Sequence, residues 1–289
     1  MKRGAGSCFG TFGELVQGEV NNHPFLFTFP VPLKSRAIFV PASDTKEISC
    51  TPHKEKMTAA ARLTLEKIGI GTGGCLYSYS QIPIGKGMAS SSADITAAIR
   101  AVAASFGTIF APSDIAAIAA AIEPTDGVMY EGINAFNQQT GERLQSFPEA
   151  PDLFLIGYDS GGTVNTDDCY SSKRVYTPNE KAELQQLYNG ISTALLSGKI
   201  DDIMLAATKS AGINERFLPK PFFSLFKEIA SRFEAGIIIG HSGTVIGFLL
   251  SGNDHLLIKK VQEIKGIVQQ MTGWNPFIMT SFPIGDAND

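Results

Sequence analysis

Cysteine is scarce in this chain of 289 residues, and its spacing excludes several classes of site. The four cysteines are Cys8, Cys50, Cys75 and Cys169, and they form no CxxC pair. The usual zinc sites and thioredoxin-like redox sites require such pairs, and a disulfide-rich secreted domain requires a denser set. We therefore expect neither kind of site, and we expect a reducing, cytoplasmic setting.

Long apolar runs and basic blocks are also absent from the sequence. Apolar runs such as residues 115–122 are much shorter than a bilayer span, and the first residues lack the apolar stretch of a signal peptide. The 24 Lys and Arg residues are balanced by 28 Asp and Glu residues, which gives a formal net charge of −4. We therefore expect a soluble protein that binds neither membranes nor nucleic acids.

Hydrophobic residues make up 44% of the chain and charged residues 18%, which is typical of a globular protein with its own core. Apolar periodicity predicts early strands interrupted by one helix, from about Lys54 to Ile68, and then two successive helices near 95–107 and 113–122. Later strands are predicted at 129–136, 152–158, 236–240, 245–250 and 276–281, and later helices at 179–196, 200–211, 222–233 and 255–271. This order predicts an α+β fold with two tightly joined halves that meet near residues 150–175.

The most informative segment, residues 83–94, has the sequence PIGKGMASSSAD and joins a predicted strand to an Ala-rich helix. Gly85 and Gly87 can adopt positive φ and expose backbone N–H groups, while the helix start adds unpaired donors and the positive end of the helix dipole. The three serines at residues 90–92 can donate to phosphate oxygens or coordinate a phosphate-bound Mg²⁺. These features predict an anion site; a glycine turn followed by serine caps is the structural alternative.

Two common nucleotide-binding loops do not fit this segment. The Walker A pattern GxxxxGK[ST] occurs nowhere in the chain. In the Rossmann pattern GxGxxG, Ser90 stands where the third glycine is needed, and a second helix follows instead of a strand that ends in an acid. The segment therefore belongs to neither class.

A pair of acids follows the second of these helices. Pro124 makes Glu123 a predicted helix terminus, and the carboxylates of Glu123 and Asp126 are three residues apart. The helix before them can pack beside the candidate phosphate loop. The pair therefore places two carboxylates beside that loop; an exposed turn with two solvated acids is the alternative.

Residues 83–92 resemble motif 2 of the GHMP kinases, P-x-x-x-G-[LM]-x-S-S-[AS]. Residues 7–18 are similar to the first family motif around its Gly-Glu pair, and residues 240–247 to the glycine-rich third motif. Within the family, the sequence is most similar to the bacterial L-threonine kinases of cobalamin biosynthesis. The strings that carry this similarity are residues 13–18, 86–95, 122–126, 218–221 and 241–243, and the similarity is weaker from Cys169 to Ile213.

The resemblance implies a GHMP kinase fold with a ribosomal-S5-like, ATP-binding domain at 1–160 and a ferredoxin-like domain at 161–289. It implies an ATP- and Mg²⁺-dependent kinase that phosphorylates the side-chain hydroxyl of a small amino acid, with L-threonine as the first choice. Homoserine or another small hydroxy acid is the alternative acceptor. A pseudokinase that senses a nucleotide or metabolite is the non-enzymatic alternative, and the sequence is compatible with a homodimer.

The resemblance also implies roles for particular residues. ATP would be held by Pro83, Gly85, Lys86, Gly87, Met88, Ala89, Ser90, Ser91 and Ser92. Ser91 and Glu123 would share Mg²⁺, and Asp126 would orient or deprotonate the acceptor hydroxyl. The acceptor pocket would be shaped by Glu14, Gln17, His241, Ser242 and Gly243. Lys86 would contact phosphate or solvent, and Glu14 and Gln17 are expected in a turn next to a first strand.

Overall fold

The computed structural model describes residues 2–147, 149, 151–164 and 174–282. Ten strands and seven helices lie in this part of the chain. The strands are β1 (Gly4–Val20), β2 (His23–Ala42), β3 (Ile48–Thr51), β4 (Gly73–Ser80), β5 (Ile133–Asn137), β6 (Glu142–Phe147), β7 (Leu153–Asp159), β8 (Gly236–Ile239), β9 (Val245–Ser251) and β10 (Ile278–Phe282). The helices are α1 (Glu55–Lys67), α2 (Ser90–Ser105), α3 (Pro112–Ala120), α4 (Pro178–Ser197), α5 (Ile200–Asn214), α6 (Phe223–Phe233) and α7 (Leu257–Thr272).

The strands form one sheet in the order β10-β7-β9-β8-β1-β2-β4-β3, with β5 and β6 attached beside β2. The long hairpin of β1 and β2 occupies the middle of the sheet and turns at Asn21 and Asn22. Both asparagines have positive φ, of 52° and 63°, which is the geometry that a tight hairpin turn requires and that asparagine tolerates. The hairpin thus connects the N-terminal strands to the C-terminal strands β8 and β9.

Helix α2 lies against β1 because small residues line their contact. A Cβ atom on Gly6 would lie 2.4 Å from the carbonyl oxygen of Ala97 and 2.5 Å from the nitrogen of Ala101. A real side chain at Gly6 would therefore push the helix away from the strand. The close approach fixes the direction of α2, and with it the position of the helix start.

A second apolar cluster covers the C-terminal strands. Phe226 of α6 stacks on Phe248 of β9 with 4.6 Å between the ring centroids, and Tyr158 of β7 contacts both rings edge-on. Ile264 and Val268 of α7 complete this cluster. Strand β7 pairs with β9 and β10, so it lies among the strands of the predicted C-terminal domain. The domain boundary at residue 160 stays a prediction.

Most helices begin and end within a few residues of the predicted positions, and the α+β arrangement is confirmed. The predicted turn at Glu14 and Gln17 is wrong, since both residues lie inside β1. The register of β1 against β2 shifts on each side of Glu14, and Gly13 has a φ of 58°. These bulges change the direction of the side chains, which explains why a polar, glycine-containing stretch of strand resembles a turn in sequence.

The predicted strand 129–136 is also too early. Strand β5 covers Ile133–Asn137, and the residues before it form turns. Strand β6 was not predicted from the sequence, because its residues ERLQSF are mostly exposed and lack apolar alternation.

Among the described residues, no helix is both long and apolar enough to cross a membrane. Cys8, Cys50 and Cys75 are free thiols, and Cys169 lies outside the described residues.

The space around two glycines, Gly6 at the contact of β1 with α2 and Gly190 in α4, predicts opposite effects of their substitution on stability. Gly6→Ala should destabilise the protein by about 1–3 kcal/mol or more, since the new methyl group meets backbone atoms that cannot move aside. Gly190→Ala, at an exposed position of α4 with open space around it, should stabilise the protein by about 0.4–1 kcal/mol. Urea unfolding of the two variants measures both changes. Equal stability of Gly6→Ala and the unchanged protein would contradict the close packing of α2.

Candidate active site

The segment between β4 and α2, residues 81–89, forms a loop whose backbone leaves the helix start open. Gly85 and Gly87 have φ values of 72° and 77°, as expected from their sequence context. Ala89 also has a positive φ, 55°, and it provides no side-chain cap for the helix. Because the first N–H groups of a helix have no partner within the helix, these groups at α2 remain available to an anion. The left-handed backbone of an alanine is itself strained by about 1–2 kcal/mol.

This loop is held between two other segments, and we call the contact the three-way junction: residues 10–13 of β1, residues 85–88 of the loop, and residues 240–244 between β8 and β9. The nitrogen of Gly13 donates to the carbonyl oxygen of Gly87 at 3.0 Å, and the nitrogen of Thr244 donates to that of Lys86 at 3.0 Å. A Cβ atom on Gly243 would lie 2.1 Å from the nitrogen of Gly87. Glycine is therefore required where the three backbones meet.

Both acids of the predicted pair contact the first turn of α2. The Ser91 hydroxyl donates to Oε1 of Glu123 at 2.5 Å, and the ammonium group of Lys56 in α1 forms an ion pair with Oε2 of the same carboxylate. The Ser92 hydroxyl accepts a hydrogen bond from the nitrogen of Asp126 at 3.1 Å and lies 3.2 Å from its carboxylate oxygen Oδ2. The two acids and the two serines therefore form one cluster.

The cluster faces a small cleft. The cleft is lined by Glu14, Gly85, Gly87, Met88, Ala89, Ser90, Ser91, Ser92, Glu123, Pro124, Asp126 and Ser242. Burial, with the negative charges of Glu14 and Glu123, raises the pKa of Asp126 from 3.8 to about 7, while the Ser92 hydrogen bond acts in the opposite direction. A carboxylate with such a pKa can accept a proton near neutral pH, which an ordinary aspartate does poorly.

Glu14 and His241 form a buried hydrogen-bonded chain behind the cleft. Oε2 of Glu14 lies 2.9 Å from Nδ1 of His241 and 3.1 Å from its backbone nitrogen. Nε2 of His241 lies 2.9 Å from the Ser210 hydroxyl, which accepts from the nitrogen of Gln17 at 3.1 Å. Burial lowers the pKa of His241, although the hydrogen bond to Glu14 opposes this. A neutral imidazole with its proton on Nδ1 satisfies every member of the chain.

Four of the predicted site residues, Lys86, Gln17, Gly243 and Pro83, lie outside the cluster of serines and acids. Lys86 forms an ion pair with Asp159 at 2.6 Å and donates to the carbonyl oxygen of Gly162 at 2.5 Å, so its charge has a protein partner. Gln17 donates to Gln138 at 3.2 Å, outside the cleft lining. Gly243 packs on the loop backbone, and Pro83 lies in the turn before Gly85. Their assigned roles in nucleotide or acceptor binding stay predictions.

Comparison with known proteins identifies this arrangement. Residues 55–135, which contain the loop, α2 and the acid pair, match the family model of the GHMP kinases N terminal domain. The crystal structure of a homoserine kinase from Cytophaga hutchinsonii matches with a TM-score of 0.76 at 14% identity, over 98% of this chain and 95% of that chain. The chain has the GHMP kinase fold. The fold predicted from the sequence motifs is thereby confirmed.

Two curated relatives are similar in sequence. The L-threonine kinases of Salmonella typhimurium and Citrobacter freundii are 30% and 31% identical to this chain over 178 residues. The match covers 61% of this chain and only 59% and 62% of the relatives' own length. The predicted resemblance to the GHMP kinases and to L-threonine kinases is confirmed as sequence similarity.

The sequence analysis missed Lys56 in this GHMP kinase fold. The residue lies in the first turn of α1, 67 positions before Glu123, and a lysine in the first turn of a helix carries no local signal of function. Only the packing of α1 beside α2 brings its ammonium group to the carboxylate. A pairwise contact between distant elements of this kind cannot be predicted from spacing in one sequence.

The charges around Asp126 predict two shifts of opposite sign. Glu14→Gln should lower the pKa of Asp126, because it removes a negative charge that raises it; Ser92→Ala should raise the pKa further, because it removes a hydrogen bond that lowers it. Carboxyl-carbon NMR titration of the protein measures both shifts. Asp114→Asn, at a half-exposed ion pair with Lys67, is the control and should cause no shift. A pKa near 4 for Asp126 in the unchanged protein would contradict this description of the cleft.

Proposed function

We propose that this protein is an ATP-dependent kinase that transfers a phosphoryl group to the side-chain hydroxyl of a small amino acid, with L-threonine as the preferred acceptor. One observation carries the proposal: the uncapped start of α2, the Ser91–Glu123 pair and Asp126 line the same cleft. Donors for phosphate, oxygens for a metal and a base for a hydroxyl are the parts that phosphoryl transfer requires. The similarity to two L-threonine kinases supports the choice of acceptor.

The loop and α2 would bind the triphosphate. The N–H groups at the start of α2 and the positive end of its dipole favour negatively charged oxygens. The ion pair of Lys86 with Asp159 leaves Lys86 as a residue that holds the loop in place rather than a direct phosphate ligand. The backbone, more than lysine charge, would therefore provide the phosphate contacts.

Mg²⁺ fits the oxygens beside the loop. The Ser91 hydroxyl and the Glu123 carboxylate are in direct contact, and Mg²⁺ is typically bound by one or two protein oxygens together with substrate phosphates and water. Within the described residues, no group of three His, Cys, Asp or Glu side chains could hold a metal, so phosphate oxygens would complete its coordination. When bound, the ion would neutralise charge on the phosphates. Lys56 would orient Glu123 and add a positive charge beside it.

Asp126 would act on the acceptor. Its raised pKa and its position in the cleft suit a base that takes the proton from the acceptor hydroxyl as the oxygen attacks the γ-phosphorus. The bond between the γ-phosphorus and the bridging oxygen breaks, and ADP leaves with that oxygen. Ser92 holds Asp126 through its backbone nitrogen, so the carboxylate stays at the start of α2. The Glu14–His241 chain forms the wall behind it.

The acceptor preference is the first test of the proposal. A pocket that aligns the branched β-hydroxyl of threonine with the γ-phosphate misplaces the γ-hydroxyl of homoserine by about a bond length, which can lower the rate about 10²-fold. We expect the highest kcat/KM for L-threonine in a panel with L-serine and L-homoserine, measured as ADP release with ATP and Mg²⁺. A preference for homoserine would refute the threonine assignment. ATP binding without ADP release on any acceptor would instead identify a nucleotide sensor.

The acids predict separable kinetic defects. Asp126→Asn should lower kcat by about 10²–10⁴-fold and abolish the loss of kcat/KM below about pH 7, because only the deprotonated carboxylate accepts the hydroxyl proton. Glu123→Gln should raise the Mg²⁺ concentration needed for half-maximal rate by about 10-fold or more. Steady-state kinetics across pH and Mg²⁺ concentration measure both effects, with Asp114→Asn as the control. If Asp126→Asn retains a normal kcat, Asp126 is not the base.

A further inference from the structure

A fourth segment, residues 159–164, packs against the loop before α2 from outside the cleft, and we call it the clamp segment. It begins at the last residue of β7 and has the sequence DSGGTV. Gly161 and Gly162 have φ values of 86° and 71°, and two successive residues with positive φ turn the chain sharply, which glycine allows without strain. After this turn, the nitrogen of Val164 donates to the carbonyl oxygen of Gly85 at 2.9 Å. The turn thus brings the chain from the end of β7 onto the loop.

The carboxylate of Asp159 joins the loop to the segment between β8 and β9. Nζ of Lys86 lies 2.6 Å from its Oδ2, and the Thr244 hydroxyl donates to its Oδ1 at 2.6 Å. The nitrogen of Gly161 also donates to Oδ1, at 3.0 Å. Burial opposes the ionisation of Asp159, but the hydrogen bonds from these three groups outweigh it and lower the pKa of the carboxyl group. The side chain is therefore a charged acceptor that two separate segments share.

The clamp segment, the loop and the segment between β8 and β9 form a closed set of contacts, in which each is bonded to the other two. The nitrogen of Thr244 donates to the carbonyl oxygen of Lys86, and the Ser160 hydroxyl donates to the carbonyl oxygen of Thr244 at 2.8 Å. The ammonium group of Lys86 donates to the carbonyl oxygen of Gly162. Because the set is closed, loss of one partner weakens the attachment of the others.

The ion pair also decides what the loop offers to a phosphate. The side chains of Lys86 and Asp159 are 15% and 29% exposed, so the pair is largely shielded from water and its two charges offset each other. The backbone N–H groups at the start of α2 remain as donors, and such donors act only when they are correctly placed. A misplacement of about 1 Å can lower a rate about 10²-fold. The position of the loop therefore sets how well it binds a triphosphate.

We propose that Asp159 is a positioning residue for nucleotide binding, an inference that rests on the proposed kinase function. Asp159 does not line the cleft. It joins Lys86 to Thr244, and through them it fixes the adjacent Gly87 and the start of α2. Loss of its charge lets the loop move and weakens triphosphate binding, while the acceptor side of the cleft keeps its shape.

Hydrogen exchange in the ligand-free protein tests the attachment itself. Asp159→Asn keeps the shape of the side chain and removes its charge, so we expect the amide of Val164 to exchange about 10-fold faster or more. The matched control is Asp254→Asn, which removes a carboxylate from another shielded ion pair, with Lys260 and Asp254 14% and 16% exposed. The control should leave exchange at Val164 unchanged. Unchanged exchange in Asp159→Asn would overturn the proposal.

Calorimetric titration with a nonhydrolysable ATP analogue and Mg²⁺ tests the consequence for nucleotide binding. Asp159→Asn should raise the Kd about 10-fold or more, while KM for L-threonine and Tm change little. Lys86→Arg, which can keep the ion pair, should bind nearly as the unchanged protein does. The double variant Lys86→Met with Asp159→Asn should bind no more weakly than either single variant, because both remove the same contact.

The opposite result has a definite meaning. If Asp159→Asn binds the analogue as tightly as the unchanged protein, or more tightly, then Asp159 does not position the loop for nucleotide and the proposal is wrong. A lower Tm with equal increases in KM for ATP and threonine would show a general structural defect and would also refute it. If the unchanged protein binds no ATP analogue, the kinase proposal fails instead, and exchange at Val164 alone decides whether Asp159 holds the loop.

Discussion

The packing of backbone on backbone at the three-way junction is the constraint on which the rest of the site depends. Gly243 lies so close to the nitrogen of Gly87 that a methyl group on Gly243 would separate the two segments. The hydrogen bond from Gly13 to Gly87 attaches the same loop to β1. Because β1 also carries Glu14, and the segment after β8 carries His241, one contact sets the loop, the start of α2 and the chain behind the cleft relative to one another.

The junction also explains how three acids can face one small space. Glu14, Glu123 and Asp126 line the same cleft, and burial together with their mutual repulsion raises the pKa of Asp126. The ion pair of Glu123 with Lys56 and the positive end of α2 offset part of this charge. A rigid backbone is needed, since flexible segments would let the carboxylates move apart. The result is a cleft in which the start of α2 lies beside three carboxyl groups, one of them able to exchange a proton near neutral pH.

Local features of this site were predictable from the sequence, and long-range pairings were not. Positive φ at Gly85 and Gly87 follows from the chemistry of glycine. The pairing of Ser91 with Glu123 is implied only by the family resemblance, and the structure brings these two side chains together. By contrast, the bulges around Glu14 depend on the register of β1 against β2, and the partners of Lys56 and Lys86 come from distant elements. The edge strand β6 carried no apolar alternation to reveal it. A single sequence records which groups exist, whereas tertiary packing decides which of them meet.

The central claim is that the triphosphate would bind at the start of α2 and that Ser91 and Glu123 would hold its metal. It is tested most directly by a crystal structure with a nonhydrolysable ATP analogue, Mg²⁺ and L-threonine. We predict phosphate oxygens within hydrogen-bond distance of the N–H groups of residues 89–92 and the threonine hydroxyl beside Asp126. The chain offers a clear alternative, a larger cavity of about 840 Å³ beside β1 and α2 that is lined by Arg36 and Arg100, among other residues. Phosphates bound there, with the cleft at α2 empty, would contradict the claim.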